Sequence, residues 1–309
     1  MKKAFAWVCL LLIFLLCSCD SRPLAGICFR QTEDPVTALL EKQLVQALEA
    51  EGYRVETANA RQDQALQHSQ IRRFMEKEAD ILMVEPVITA EEAAIAEAAE
   101  EEDVPLIFLN DPPEKEMLDD GQMLCYVGSD HTQAGYLQGV LVAALPDGGD
   151  KNQDGVVSYL VISGPEDYLD TAGWAEDCGA AIPGEQLALE YGDWSMESGE
   201  RIAGRALSRF GRDLEVIFCH SGEMALGALE AAQVQDREVG TDLEIVGIGG
   251  EGRLLEEIRT GNITGTVCSD TRALTDAVVR AASGREVQQV TLAELIRVTR
   301  KNADQFLGG

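Results

Sequence analysis

The feature that most constrains this chain is a strict alternation, in which short β-rich runs are followed by segments of helical periodicity nearly from end to end. A parallel strand buried on both faces reads as a continuous apolar run, and its partner strand is reached only through a crossover, usually a helix. The alternation therefore predicts parallel sheets covered by helices. Strands are predicted at Ala25 to Phe29, Arg54 to Thr57, Ile81 to Val84, Leu106 to Leu109 and Leu124 to Val127. After a loop dense in Pro, Gly and Asp from Pro146 to Gly155, they resume at Val157 to Ile162, Leu187 to Tyr191, Glu215 to Cys219, Glu244 to Ile248 and Gly265 to Cys268. Between them lie amphipathic helices. In Pro35 to Glu51 the residues Leu39, Leu40, Leu44, Ala47 and Leu48 form one apolar stripe. Pro35 suits a first helical turn and Gly52 a C-cap. In the acidic segment Glu91 to Asp103, alanines and Ile95 recur at helical spacing, which marks a helix with one solvated face.

The amino end carries a different signal. Lys2 and Lys3 precede an apolar run from Ala4 to Leu16, which leads to small residues at Ser18 and Cys19, the order of an export signal. The run is short for a bilayer span. Leu16-Cys17-Ser18-Cys19 resembles a bacterial lipobox. That resemblance implies lipid modification of Cys19 and an extracytoplasmic body anchored by lipid to the cell membrane; the other reading is an uncleaved N-terminal membrane anchor. The 309 residues less the first 19 leave 290, enough for two lobes with cores of their own. With 54 acidic against 25 basic side chains the formal charge is −29, which repels phosphate backbones and excludes nucleic acid as an expected partner. Of the eight cysteines, Cys9 and Cys17 lie in the signal and Cys19 at its end, so Cys28, Cys125, Cys178, Cys219 and Cys268 remain. An odd set predicts small buried hydrophobes rather than a disulfide framework, and no CxxC spacing points to zinc.

Several landmarks recur in a recognisable order: Asp34-Pro35; the Gln-rich stretch from Asn59 to Gln70; Val104-Pro105-Leu106-Ile107-Phe108-Leu109-Asn110; Tyr126-Val127-Gly128-Ser129-Asp130 with Gly135 and Gln138-Gly139; the loop from Asp150 to Gly155; Trp194; Glu215 to Phe218 leading to Glu223 through Ala228; Val246-Gly247-Ile248; and Gly261 to Val267. In this order and spacing the chain resembles the type I periplasmic binding proteins, in their galactose/glucose-binding branch. The resemblance implies an α/β fold of two Rossmann-like lobes joined by a three-stranded hinge, with a ligand cleft between them. It places residues 22–128 and 270–291 in the N-terminal lobe, and 129–269 and 292–309 in the C-terminal lobe. The implied function is capture of a sugar or sugar-like solute for an ABC permease. A lipoprotein that senses its ligand and signals to a membrane histidine kinase, without transport, is the alternative. Lac repressor-type regulators share the fold but need a DNA-reading domain before the first strand, where only Asp20 to Leu24 lie.

In the loop, Asp150, Asn152 and Asp154 alternate and Gly155 follows, which matches the first half of a calcium-binding loop. Val156 can offer its carbonyl and Ser158 its hydroxyl or a water. The twelfth position, where such loops carry Glu, is Val161, so an ordinary Asp/Gly turn stays open on spacing alone. The resemblance supplies the missing carboxylate from a remote strand, at Glu215, and with it a structural calcium ion.

For the cleft, the resemblance places ligand contacts at Asp34, Asn110, Asp170 and Trp194. Other contact positions have changed: Val36 stands for an aromatic stacker, Tyr168 for His, Trp174 for Arg, Ser221 for Asn, Gly249 for Asp and Ser269 for a second Asn. Tyr168, Trp174, Ser221 and Ser269 are retained as ligand-binding candidates. Trp174 packing within its helix, and Asp34 capping the helix at Pro35, are the other readings of those two residues. Loss of so many charged partners predicts weak binding of free galactose or glucose, and a less hydroxylated or larger ligand stacked on Trp194. No GxSxG, HExxH or P-loop is present, and His68, His131 and His220 are scattered, so a binding protein is expected rather than an enzyme. His220 borders the expected cleft, but a lone histidine reads as a surface or packing residue.

Overall fold

The computed structural model describes residues 21–33, 35–110, 113, 124–166, 171–250, 252–285 and 288–307. Asp34, Tyr168, Asp170 and the lipobox with Cys19 lie outside the described residues.

Each of the ten predicted runs forms a strand: β1 (Leu24–Phe29), β2 (Arg54–Asn59), β3 (Ile81–Val84), β4 (Leu106–Asn110), β5 (Leu124–Ser129), β6 (Val157–Ser163), β7 (Gly184–Tyr191), β8 (Val216–Cys219), β9 (Glu244–Ile248) and β10 (Gly265–Ser269). Two further strands follow, β11 (Val290–Ala293) and β12 (Leu295–Thr299). The helices among the described residues are α1 (Pro35–Ala50), α2 (Gln64–Glu76), α3 (Glu92–Glu101), α4 (Ala134–Ala143), α5 (Thr171–Ala180), α6 (Met196–Phe210), α7 (Gly222–Val234), α8 (Gly252–Thr260), α9 (Thr271–Ala282) and the single turn α10 (Asp304–Leu307). Gly52 follows α1 with φ +96°, as the C-cap reading requires.

Two six-stranded sheets result, in the orders β11-β5-β4-β3-β1-β2 and β12-β10-β9-β8-β6-β7. All neighbours run parallel except β12, which lies antiparallel to β10. Each sheet is the middle of three layers, and the strand period explains how. In β1, Ala25, Ile27 and Phe29 point into a core with Leu40, Leu44 and Leu48 of α1 and Leu274 and Val278 of α9. Leu24 and Cys28 point the other way, to Ile71 and Phe74 of α2 and Ile95 and Ala99 of α3. In the second sheet, Leu160 and Ile162 of β6 pack with α6, α7 and α8 through Ile202, Leu229 and Leu255. Tyr159 and Val161 pack with α4 and α5 through Val142, Trp174 and Cys178. Side chains of this kind stabilise the fold by about 1.5–3 kcal/mol each when fully buried.

The chain passes between sheets three times: from β5 into α4, from β10 into α9, and from β11 into β12. The crossings touch. Asp130 N donates to Ala293 O at 3.3 Å, Asp270 N to Glu294 O at 3.2 Å, and Ser129 Oγ to Ser269 Oγ at 2.8 Å. The lobes also meet where α1 begins: Val36 and Leu39 pack on the core of the second lobe, and Val36 leaves no room for a side chain at Gly250. Cys28, Cys125, Cys178, Cys219 and Cys268 are buried thiols outside any disulfide. Burial pushes the Cys28 thiol up to about 12 and that of Cys125 to about 11. No helix among the described residues is long and apolar enough to cross a membrane.

Candidate ligand cleft

In open parallel sheets the ligand site lies beyond the carboxyl ends of the strands, because there the strand ends and the amino ends of the following helices converge. In the first lobe, the adjacency of β4, β3 and β1 brings together Asn110, Glu85 and Arg30, each at or just past a strand end. Asn110 Nδ2 donates to Glu85 Oε1 at 2.8 Å, and the Arg30 guanidinium meets the same oxygen at 3.3 Å. Arg30 N donates to Glu85 Oε2, also at 3.3 Å. The Glu85 side chain is 4% exposed and that of Arg30 36%, so the carboxylate is the buried anchor and the guanidinium reaches toward solvent. Gln67 fixes the turn after β3 by donating to Glu85 O at 2.8 Å and accepting from Val87 N at 3.0 Å. Asn110 has φ +66°, a conformation that costs a non-glycine residue of order 1–3 kcal/mol and persists only where its surroundings impose it. Tyr126 Oη donates to Asn110 O at 2.6 Å, and Gly128 leaves room for that phenol.

The second wall is aromatic. Gln138 of α4 is fully buried; its Nε2 donates to Cys219 O at 3.0 Å and Gly247 O at 3.1 Å, and its Oε1 accepts from Trp174 Nε1 at 3.0 Å. Trp174 is only 4% exposed. Gly135 and Gly139 let α4 approach α5 so closely that a Cβ on either would overlap the carbonyls of Trp174 or Cys178. His220 stacks on Trp174 with centroids 4.0 Å apart and planes 4° apart, and Trp194 meets the same imidazole edge-on at 5.1 Å. Trp194, with φ +69°, lies against Gly164 so tightly that no side chain fits there. Beside it, hydrogen bonds from Ser195 and Ser198 hold the Asp193 carboxyl down at about 2.

The sequence-derived candidates thus fall in different settings. Asn110 and Trp194 stand on opposite walls. Trp174 lies beneath His220 and is held by Gln138, which is the packing reading of that residue. Ser221 caps α7, its hydroxyl accepting from Met224 N at 3.1 Å, and Ser269 bonds Ser129 at the hinge. Gly249 has φ +121°, a conformation that disfavours the Asp for which it stands. Arg30 and Glu85 did not emerge from the sequence, and Gln138 entered only as a landmark without a role. Their partners come from separate strands, and for Arg30 and Glu85 the one local signal was a polar residue directly after an apolar run. A hollow of about 780 Å³ lined by Glu200, Arg201 and Arg205 sits on the flank of α6 and gathers no such convergent groups.

In the Asp150–Ser158 loop, Asp150 accepts from Asp154 N at 3.2 Å and Gly155 N at 2.9 Å, Asn152 from Asp154 N at 2.9 Å, and Asp154 from Val156 N at 2.9 Å. Gly155 turns the chain at φ +92°. Glu215, fully buried, closes the loop from β8's edge: one oxygen accepts from Lys151 N and Asn152 N at 2.7 and 2.9 Å, the other from Ser158 N at 2.8 Å. Lys151 pairs with Asp147 and with buried Glu244. Burial opposes the ammonium charge, but these hydrogen bonds outweigh it and the Lys151 pKa is raised. Among the described residues no three acidic, His or Cys side chains converge as a ready cage. The loop's side-chain ligands are nonetheless oxygens, which suit a hard cation, and Glu215 is a carboxylate bonded across the loop.

Two three-layer lobes hinged at three crossings, with differently furnished walls at their strand ends, define a two-lobed receptor for a small ligand. The chain belongs to the periplasmic binding protein family, whose domain model matches residues 25–284. It is 26% identical to the D-galactose/methyl-galactoside binding periplasmic protein of Haemophilus influenzae, over 87% of this chain and 85% of that one. It is 22% identical to the ribose import binding protein of Bacillus subtilis, over 97% and 100% of the two chains. In fold it resembles an ABC transporter solute-binding protein of Bacillus halodurans solved with myo-inositol, with a TM-score of 0.68 at 19% identity, covering 94% and 99%. All three are named as binding proteins, the second of an import system and the third of an ABC transporter.

Proposed function

We propose that this protein is the extracytoplasmic receptor of an ABC importer and captures a sugar or sugar-like small molecule between its lobes. The observation that carries the reading is the pairing of walls: an Arg30–Glu85–Asn110 polar cluster on one lobe and a Trp194–His220–Trp174 aromatic stack on the other. Hydroxyls need paired donors and acceptors, and the C–H faces of a ring need aromatic surface. The names of its relatives support the same class of ligand and the same transport partner. Asn110 and Trp194 are the central contacts, with Asp34, Tyr168 and Asp170 joining them from outside the described residues.

Two features complete the proposal. Cys19 carries lipid and holds the receptor at the membrane. A calcium ion seated by Asp150, Asn152, Asp154, the Val156 carbonyl, Ser158 and Glu215 ties the loop to the second lobe, trading the N–H bonds of Glu215 for metal–oxygen bonds. The test of the central claim is a thermal-shift screen with D-galactose, D-ribose and myo-inositol at millimolar concentration. A ligand that binds only the folded state raises Tm by mass action. A rise with at least one compound is expected; no rise with any of the three would end the sugar reading.

A further inference from the structure

The polar wall of the first lobe has a fixed hydrogen-bond sense, and we infer that Glu85 sets it: Glu85 is a positioning residue that turns Asn110 into an acceptor and Arg30 into a donor toward the ligand. The inference deepens the receptor reading above and rests on it for the ligand, but not for the geometry.

Paired with the Arg30 guanidinium, Glu85 is acceptor-only, so whatever faces it must donate. The amide of Asn110 therefore has a single allowed orientation, Nδ2 toward Glu85 at 2.8 Å, and Oδ1 takes no hydrogen bond from any described residue. Tyr126 Oη, bonded to the Asn110 carbonyl, holds the backbone that carries this amide. The second oxygen of Glu85 is held by the Arg30 backbone N–H, which stops the carboxylate from turning away. A guanidinium carries only donors. The wall thus offers an acceptor at Asn110 beside a donor at Arg30, which reads two hydroxyls of a polyol, one giving its proton to Oδ1 and its neighbour accepting from Arg30. A free amide could flip and read either sense; this one is locked.

The lock predicts the behaviour of three variants. In Glu85→Ala the shared acceptor is gone, and both the Asn110 amide and the Arg30 guanidinium are released from it. In Glu85→Gln two donors, Asn110 Nδ2 and the guanidinium, meet the position of Oε1 and only the Arg30 N–H meets that of Oε2, so the amide oxygen takes the first place and Asn110 keeps its orientation. In Asn110→Asp two carboxylates face each other and repel.

The decisive measurement needs no ligand. With 15N-labelled asparagine side chains, the wild-type Asn110 amide should show one proton protected from solvent exchange by Glu85 and one exposed; Glu85→Ala should abolish that inequality and Glu85→Gln should keep it. An unchanged Asn110 signal in Glu85→Ala overturns the inference. The second arm is calorimetry with whichever of D-galactose, D-ribose and myo-inositol stabilises the wild type. Glu85→Ala and Asn110→Asp should each bind about tenfold or more weakly, and Glu85→Gln should stay within a few fold of wild type. A folded Glu85→Ala that retains full affinity, or a Glu85→Gln as weak as Glu85→Ala, would also overturn it. Should none of the three compounds bind, the sugar reading falls, while the exchange measurement still decides the lock.

Discussion

At the residue scale, two tryptophans that looked alike in the sequence have different work. Trp174 is buried, bonded to Gln138 and covered by His220, so Trp174→Ala opens a cavity and should destabilise the fold by about 3–5 kcal/mol in urea titration. Trp194 is half-buried, packed on the second-lobe core and edge-on to His220. Trp194→Ala should cost less stability than Trp174→Ala in urea titration while lowering affinity for the bound ligand about tenfold or more, read by calorimetry. Asp193 offers a pH test. Its folded pKa, about 2, lies below the ordinary value of about 3.9, so its favourable contribution is present above that ordinary value and is lost as pH falls through about 2. A carboxyl titration by NMR should place its midpoint there, and Ser195→Ala should move it upward.

At the element scale the sequence was legible wherever burial on both faces wrote a continuous apolar run. Runs such as Ile81–Val84 and Val216–Cys219 are wholly buried strands. The strands β11 and β12 were not anticipated because they lie at sheet edges: Val290 and Leu292 are exposed, and polar residues interrupt the pattern. The site was half legible. Asn110 and Trp194 came from resemblance, whereas Glu85 could not be joined to Arg30 before the sheet order set β3 beside β1. The Asp150–Ser158 loop is the element whose chemistry is most exposed to test. Glu215→Ala strands three backbone N–H groups, at roughly 1–3 kcal/mol each where water cannot reach, so a loss of several kcal/mol is expected in urea titration. In metal-stripped protein, added calcium should raise Tm, and Glu215→Ala should remove that rise; equal melting with and without calcium would refute the ion.

At the scale of the whole molecule, the lipid anchor and the choice of ligand can be separated. Cys19→Ala should abolish incorporation of a labelled fatty acid while leaving the mature domain's melting unchanged, since the first strand begins only at Leu24. The interlaced course of the chain has a consequence for how the protein comes into being. The first lobe is closed by α9 and β11, which are made after all of the second lobe except β12 and α10. A chain emerging amino end first therefore holds β5 with one edge unpaired, and the core around Leu44 and Met83 without Leu274 and Val278, until nearly all of it has been synthesised. Pairing Tyr126 with Val290 closes a very long loop, a slow step during which the bare strand edge is open to aggregation. The second lobe has most of its sheet in one unbroken stretch of chain and can consolidate first, so a nascent chain arrested after β10 would be a folded second lobe trailing an unfinished first one, a natural client for a holding chaperone.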